Sequence, residues 1–142
     1  MLLQQILKTW RVVGQAIIAE LIGGLALGDA FWDQLVTIPY TSGVAMTFDA
    51  SQGNSFVLTV TDNVAYTIGA PTNPPFTGMS QRILLTIRNT AGVALGAATF
   101  NAIFKLGAAW TNPANTLSRS IEFRWNGTNW VEYSRTAADV AN

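Results

Sequence analysis

The chain contains no cysteine and no histidine, and of its 142 residues only eight are basic and eight acidic. Without cysteine there is no disulfide, no thiolate-ligated zinc or iron–sulfur site and no cysteine nucleophile. Without histidine the commonest general base is missing, and so is the side chain that ordinarily titrates near neutrality. Ser-His-Asp catalysis is excluded with it. Charged residues are 11% of the chain, against roughly 25% in typical soluble domains. The two signs cancel, and no basic stripe is present to displace counterions from phosphates, so nucleic acid is not an expected partner. No phosphate loop, dinucleotide fingerprint, calcium loop or metalloprotease motif occurs. The expectation is a non-enzyme with no catalytic residues, no metal and no cofactor.

What is present is apolar: 49% of the residues are hydrophobic. A chain of this length buries roughly 70% of its unfolded surface, so an ordinary core forms without staples. Sparse charge, zero net charge and an apolar composition together promote self-association. An oligomer is therefore expected.

Two textures divide the chain. Residues 1–33 carry helix formers. Gln4, Lys8, Arg11 and Gln15 make one polar stripe, while Leu3, Ile6, Leu7, Trp10, Val13, Ile17 and Leu21 cover much of the rest. That spacing predicts an amphipathic helix, weakened or ended by Gly23-Gly24. A membrane span is disfavoured by Arg11, by Glu20 in mid-run and by four glycines. A secretory leader fits superficially, since Lys8 and Arg11 precede an apolar run ending in Ala26-Leu27-Gly28. The segment is taken as a packing or docking helix, an anchor or oligomer seam whose apolar positions meet other molecules.

From residue 34 onward the period becomes two. Phe56, Leu58 and Val60 share one face, as do Ile83, Leu85 and Ile87, then Phe100, Ala102 and Phe104, then Ile121, Phe123 and Trp125. Residues 130–135 form a last strand. Turn chemistry separates the runs, at Thr61-Asp62-Asn63, Pro71 to Gly78, Asn89 to Gly92, Asn112 to Asn115 and Asn126-Gly127. Short strands so punctuated predict a mainly β domain over 34–142, an antiparallel β-sandwich or jelly roll behind the N-terminal helix. Asn126-Gly127 between alternating runs predicts a hairpin with a type I′ turn.

Several side chains could carry function. Asp29 and Asp33 are four apart, but no other reactive group lies near them in sequence, and helix-end capping accounts for them. Asp49 and Asp62 sit where carboxylates close turns. Trp110, Trp125, Trp130 and Tyr133 could stack on sugars. Alternation puts Trp125 in the core, whereas Trp110, beside Thr111-Asn112-Pro113, is the better candidate for a glycan contact. Arg82, Arg88, Arg119 and Arg124 fall on outer strand faces, where Glu122 and Glu132 could pair with them.

An ordered set of pieces carries a family resemblance over residues 46–142. They are Asp49-Ala50-Ser51-Gln52-Gly53-Asn54, Ala70-Pro71-Thr72-Asn73-Pro74, Gln81-Arg82-Ile83, Phe100-Asn101 to Phe104-Lys105, Ile121-Glu122-Phe123, and Trp125-Asn126-Gly127-Thr128-Asn129-Trp130 with Glu132. Together they resemble the β-rich C-terminal domain of bacteriophage fibre, tail and head-decoration proteins. The resemblance implies a place on the outer surface of a virion, frequent trimerisation and no catalytic residues. A phage module leaves its host by lysis, which favours the docking helix over a leader. In full fibres the domain follows a long shaft, whereas here one helix-sized segment precedes it. The expectation is a capsid decoration or cement protein, a homotrimer that binds the major capsid protein or another virion protein. The alternative is a tail or fibre module recognising host surface glycan.

Overall fold

The computed structural model describes residues 34–142. The expected N-terminal helix, with its apolar positions from Leu3 to Leu21 and the acids Asp29 and Asp33, lies outside the described residues. The rest is mainly β, with one short 3₁₀ turn at Ala50–Gln52. Ten strands follow in order: β1 Leu35–Ile38, β2 Ala45–Met46, β3 Ser55–Val60, β4 Tyr66–Ile68, β5 Arg82–Asn89, β6 Ala98–Phe100, β7 Phe104–Lys105, β8 Leu117–Trp125, β9 Trp130–Arg135 and β10 Val140–Ala141.

The first six strands alternate between two sheets. β1, β3 and β5 lie side by side and parallel, with Leu35 opposite Ser55 and Ser55 opposite Leu84. β2, β4 and β6 make a separate parallel sheet, with Met46, Ile68 and Phe100 in one row. Each pass through the larger sheet is thus followed by a pass through the smaller one, giving three stacked turns of a β-coil. The last turn is continued by antiparallel strands, β8 against β5 and β9 against β8, with β10 beside β8 and β7 parallel to β9. The larger sheet has seven strands.

This mixed pairing departs from the antiparallel sandwich or jelly roll expected from the sequence. Parallel neighbours need long connections. Residues 39–54 and 61–81 supply them by crossing through the small sheet, with short strands where a crossover helix is usual. The run from Phe100 to Lys105, expected as one strand, is broken. The side chain of Asn101 accepts from the Ile103 amide at 3.0 Å, and the main chain turns so that Phe104 N–H donates to the Asn101 carbonyl at 2.9 Å. Phe100 therefore ends the small sheet and Phe104 begins a strand of the large one.

One core fills the space between the sheets. The inward faces of β3, β5 and β8 place Phe56, Leu58, Val60, Ile83, Leu85, Ile87, Ile121 and Phe123 out of water, and Met46, Tyr66 and Ile68 meet them from the small sheet. Burying side chains of this size contributes roughly 1.5 to 3 kcal/mol each. Aromatic rings bridge the layers: Phe48 lies 4.3 Å from Phe56, and Phe100 sits 6.2 Å from Phe123. Gly96 allows one close approach, because a Cβ there would stand 2.4 Å from the Val64 carbonyl carbon. The β8–β9 hairpin forms as expected, but its loop has four residues rather than the two of a type I′ turn. Asn126 Oδ1 accepts from the amides of Thr128 and Asn129 at 3.0 and 2.8 Å, and Gly127 alone takes a positive φ, 99°. The asparagine side chain does the work that a second left-handed residue would have done.

Candidate functional site

Among the described residues, two neighbouring grooves are built around the loop 71–81, one of them against the β8–β9 hairpin. The loop is tied down along both limbs. At its start, Thr72 exchanges main-chain hydrogen bonds with Phe48 and Ala50 at 2.9 and 3.0 Å, and Asn73 Nδ2 donates to Asp49 at 2.9 Å. Asp49 also accepts from the Ser51 amide and hydroxyl, and these bonds hold its carboxyl below the usual range. At its end, Gln81 Nε2 reaches the carbonyls of Ala50 and Gly53 and the side chain of Asn54, at 2.8 to 3.0 Å. The tip turns through Gly78, whose φ is 84°, with Met79 N–H on the Phe76 carbonyl at 3.0 Å. Phe76 is left 87% exposed and Met79 62%.

Two grooves flank this tip and share Met79 and Ser80. The first, about 590 Å³, runs between Gly78–Ser80 and the hairpin, over Arg124, Trp125, Val131 and Tyr133. The second, about 790 Å³, lies on the opposite flank against Ser51, Asn73, Pro75, Phe76 and Gln81. Both sizes fall in the range of small-molecule sites, roughly 300–1,000 Å³.

Sheet register sets the positive charges at the first groove, which Arg124 lines, and just beside it, where Arg82 stands. Arg82 on β5 and Arg124 on β8 are direct cross-strand partners. The neighbouring pair Gln81 and Trp125 is hydrogen-bonded, N–H to carbonyl, at 2.9 Å. Arg82 and Arg124 therefore occupy a non-hydrogen-bonded pair, where Cα atoms approach to about 4.5 Å and side chains are closest. The Arg82 guanidinium lies 4.2 Å over the ring of Tyr133 and 3.6 Å from Glu122. Arg124 Nε donates to Ser80 Oγ at 3.2 Å and is in no ion pair among the described residues. Tyr133 owes its position to a bulge. Glu122 faces Ser134 while the next residue, Phe123, faces Glu132, so Tyr133 is the extra residue and stands 56% exposed.

The other candidates from the sequence fall elsewhere. Trp110 is half-buried: its ring meets the edge of Phe100 at 5.7 Å, and its Nε1 donates to Asn112 Oδ1 at 3.0 Å. The same oxygen accepts from the Tyr66 hydroxyl at 2.7 Å, and Asn112 Nδ2 donates to the Gly96 carbonyl at 2.7 Å. Trp125 is 6% exposed and forms the floor of the first groove, 5.1 Å from Trp130. Arg119 pairs with Asp139, and Glu132 with Arg135. Asp62 closes its turn by accepting from the Val64 amide, and also from the Tyr40 hydroxyl, which lowers its pKa. Among the described residues no group of acids is placed to hold a metal, and no helix is long and apolar enough to cross a membrane.

Sequence reasoning passed over Phe76, Met79 and the Arg82–Arg124 pairing. An aromatic inside the turn-forming stretch Pro71–Gly78, with no alternation to bury it, was the available signal for Phe76. The arginine pair has no local signal, because 42 residues separate positions that only strand register brings together. Comparison of the chain with protein-family models, with curated proteins and with solved structures gives no match, so function rests on the residues themselves.

Proposed function

We propose that the protein is a non-enzymatic structural component of a phage particle, a decoration or cement-type subunit. It attaches to the major capsid protein or another virion protein through its apolar N-terminal segment and displays the β-domain on the outer surface. The observation that carries this reading is how the residues of the family resemblance are used. Asp49, Ser51, Asn54, Asn73, Gln81 and the Trp125–Trp130 hairpin come together around one loop, and, apart from the buried indole N–H groups of Trp125 and Trp130, which have no partner among the described residues, their polar side chains bind one another and the main chain. That is the use expected of a scaffold. Removing residues 1–33 tests it. The truncated chain is expected to stay soluble and β-rich by circular dichroism and to lose particle binding in co-sedimentation; undiminished decoration would exclude the segment as anchor.

A second reading, a tail or fibre module that binds host glycan, is favoured by the grooves beside Phe76 and Tyr133. On that reading, host adsorption drops when the grooves are altered while assembly is unaffected. Adsorption and sedimentation assays on the same variants separate the two.

A further inference from the structure

We propose that the groove between Gly78–Ser80 and the β8–β9 hairpin binds a saccharide bearing a carboxylate, the acid on Arg124 with Arg82 beside it and a sugar face on Tyr133. Two like charges directly opposite on adjacent strands destabilise a sheet, and a non-hydrogen-bonded pair brings them closest. Here Arg82 and Arg124 hold that arrangement, in a chain with only eight basic residues to place. Glu122 partly offsets Arg82, but it also accepts from Ser134 at 3.0 Å. Glu132 itself lines the groove, but its carboxylate is engaged by Arg135 and by the Gly107 amide. The Arg124 guanidinium keeps its terminal N–H donors for an incoming group, and a planar carboxylate matches that fork.

The apolar half of the site comes from a built irregularity. The bulge at Glu122/Phe123 puts Tyr133 on the outer face, where Arg82 covers part of the ring and steadies it. Met79 and Val131 are exposed beside it. A flat ring next to aliphatic contacts and a cationic donor suits a pyranose that has an apolar face and an acid. A groove of about 590 Å³ takes one or two such units. The cationic feature is one pair of arginines rather than a stripe, which fits a single acid group better than a polyanion backbone. This site does not depend on the assignment to a virion, whose test is attachment of the truncated chain.

The full-length protein is titrated with tetragalacturonate, its methyl ester, and short oligosaccharides of glucuronate, sialate and 3-deoxyoctulosonate, with a tetraglutamate peptide as the non-sugar acid. Calorimetry reads affinity, and tryptophan fluorescence reads the groove through Trp125. At least one acidic saccharide is expected to bind in the millimolar range or tighter, with the ester and the peptide at least about tenfold weaker. Arg124→Gln and Tyr133→Ala each lose about tenfold or more, Arg124→Lys recovers part of the loss, and Arg88→Gln, elsewhere on β5, has no effect. Circular dichroism confirms that each variant is folded; should Tyr133→Ala misfold, Tyr133→Leu takes its place. Failure of every acidic saccharide to bind overturns the proposal. So does equal binding of the ester or the peptide, or unchanged binding by Arg124→Gln.

Discussion

At the scale of single residues, the least replaceable polar side chain is Asn89, at the end of β5 and fully out of water. Its Nδ2 donates to the carbonyls of Val93 and Pro113 at 3.0 and 3.2 Å, and its Oδ1 accepts from the Ala91 amide at 3.0 Å. Its own carbonyl takes Thr116 N–H and Asn142 Nδ2, both at 3.1 Å. The side chain thus joins two loops, residues 90–97 and 106–116, and the main-chain carbonyl of the same residue adds the C-terminus. Asn89→Leu keeps the volume and removes the partners of two carbonyls and an amide, the Pro113 bond being buried and the other two part-buried. Each such group costs about 1 to 3 kcal/mol, and partial relaxation brings the expected total to about 2 to 4 kcal/mol. The urea midpoint should fall with the slope unchanged; a variant within error of wild type would mean that the loops hold without this hub. The sequence marks Asn89 as part of a turn, but not as a buried hub, because its partners lie 4, 24 and 53 residues away along the chain.

At the scale of elements, β9 is fastened to the loop before Trp110 by one ion pair. Arg135 holds both oxygens of Glu132 and donates to the carbonyls of Ala108 and Ala109 at 2.9 Å, and Glu132 also accepts from the Gly107 amide at 2.6 Å. Arg135, first of these, and then the Gly107 amide lower the Glu132 pKa from its ordinary value of 4.5. A depressed folded pKa means that the contribution is fully present above the unfolded value and is lost as pH falls through the folded one. Glu132→Gln should therefore destabilise by about 1.5 to 3 kcal/mol near neutral pH. The two stability curves should converge as acid titrates the carboxyl below pH 4.5. A constant gap between them down to pH 2 would show that the pair contributes nothing through charge.

The same scale shows what alternation can reveal. β3, β5 and β8 were legible because alternate residues of each face the core, and Phe56, Ile83 and Phe123 stand where the period put them, although β3 buries Val57 on its other face too. The direction of pairing was not legible. Alternation fixes which side chains face inward, but it is blind to whether the neighbouring strand runs up or down. β2 and β4, two and three residues long, are too short to show a period at all. Tyr133 was legible as a strand residue and illegible as a bulge, because the bulge depends on where β8 and β9 lose register.

At the scale of the whole molecule, the stacked coils end in strands that have one strand neighbour each among the described residues. Among the described residues β1 and β7 are the two ends of the larger sheet, and β2 and β6 those of the smaller. Edges of this kind are pairing sites unless charge or cover blocks them, and a chain with 11% charged residues has little of the first. Several apolar side chains, among them Leu35, Leu84, Val131 and Phe76, also face solvent. Such a surface is expected to be covered by copies, three of them if the proposed virion role holds. The full-length protein should elute at three times the chain mass by light scattering and hold that mass on dilution, whereas residues 34–142 alone should dissociate if the leading segment is the seam. A truncated trimer would move the seam to the sheet edges and faces. A full-length monomer, stable at high concentration with Phe76 and Leu35 still in water, would remove the need for copies that sparse charge and apolar surface together impose.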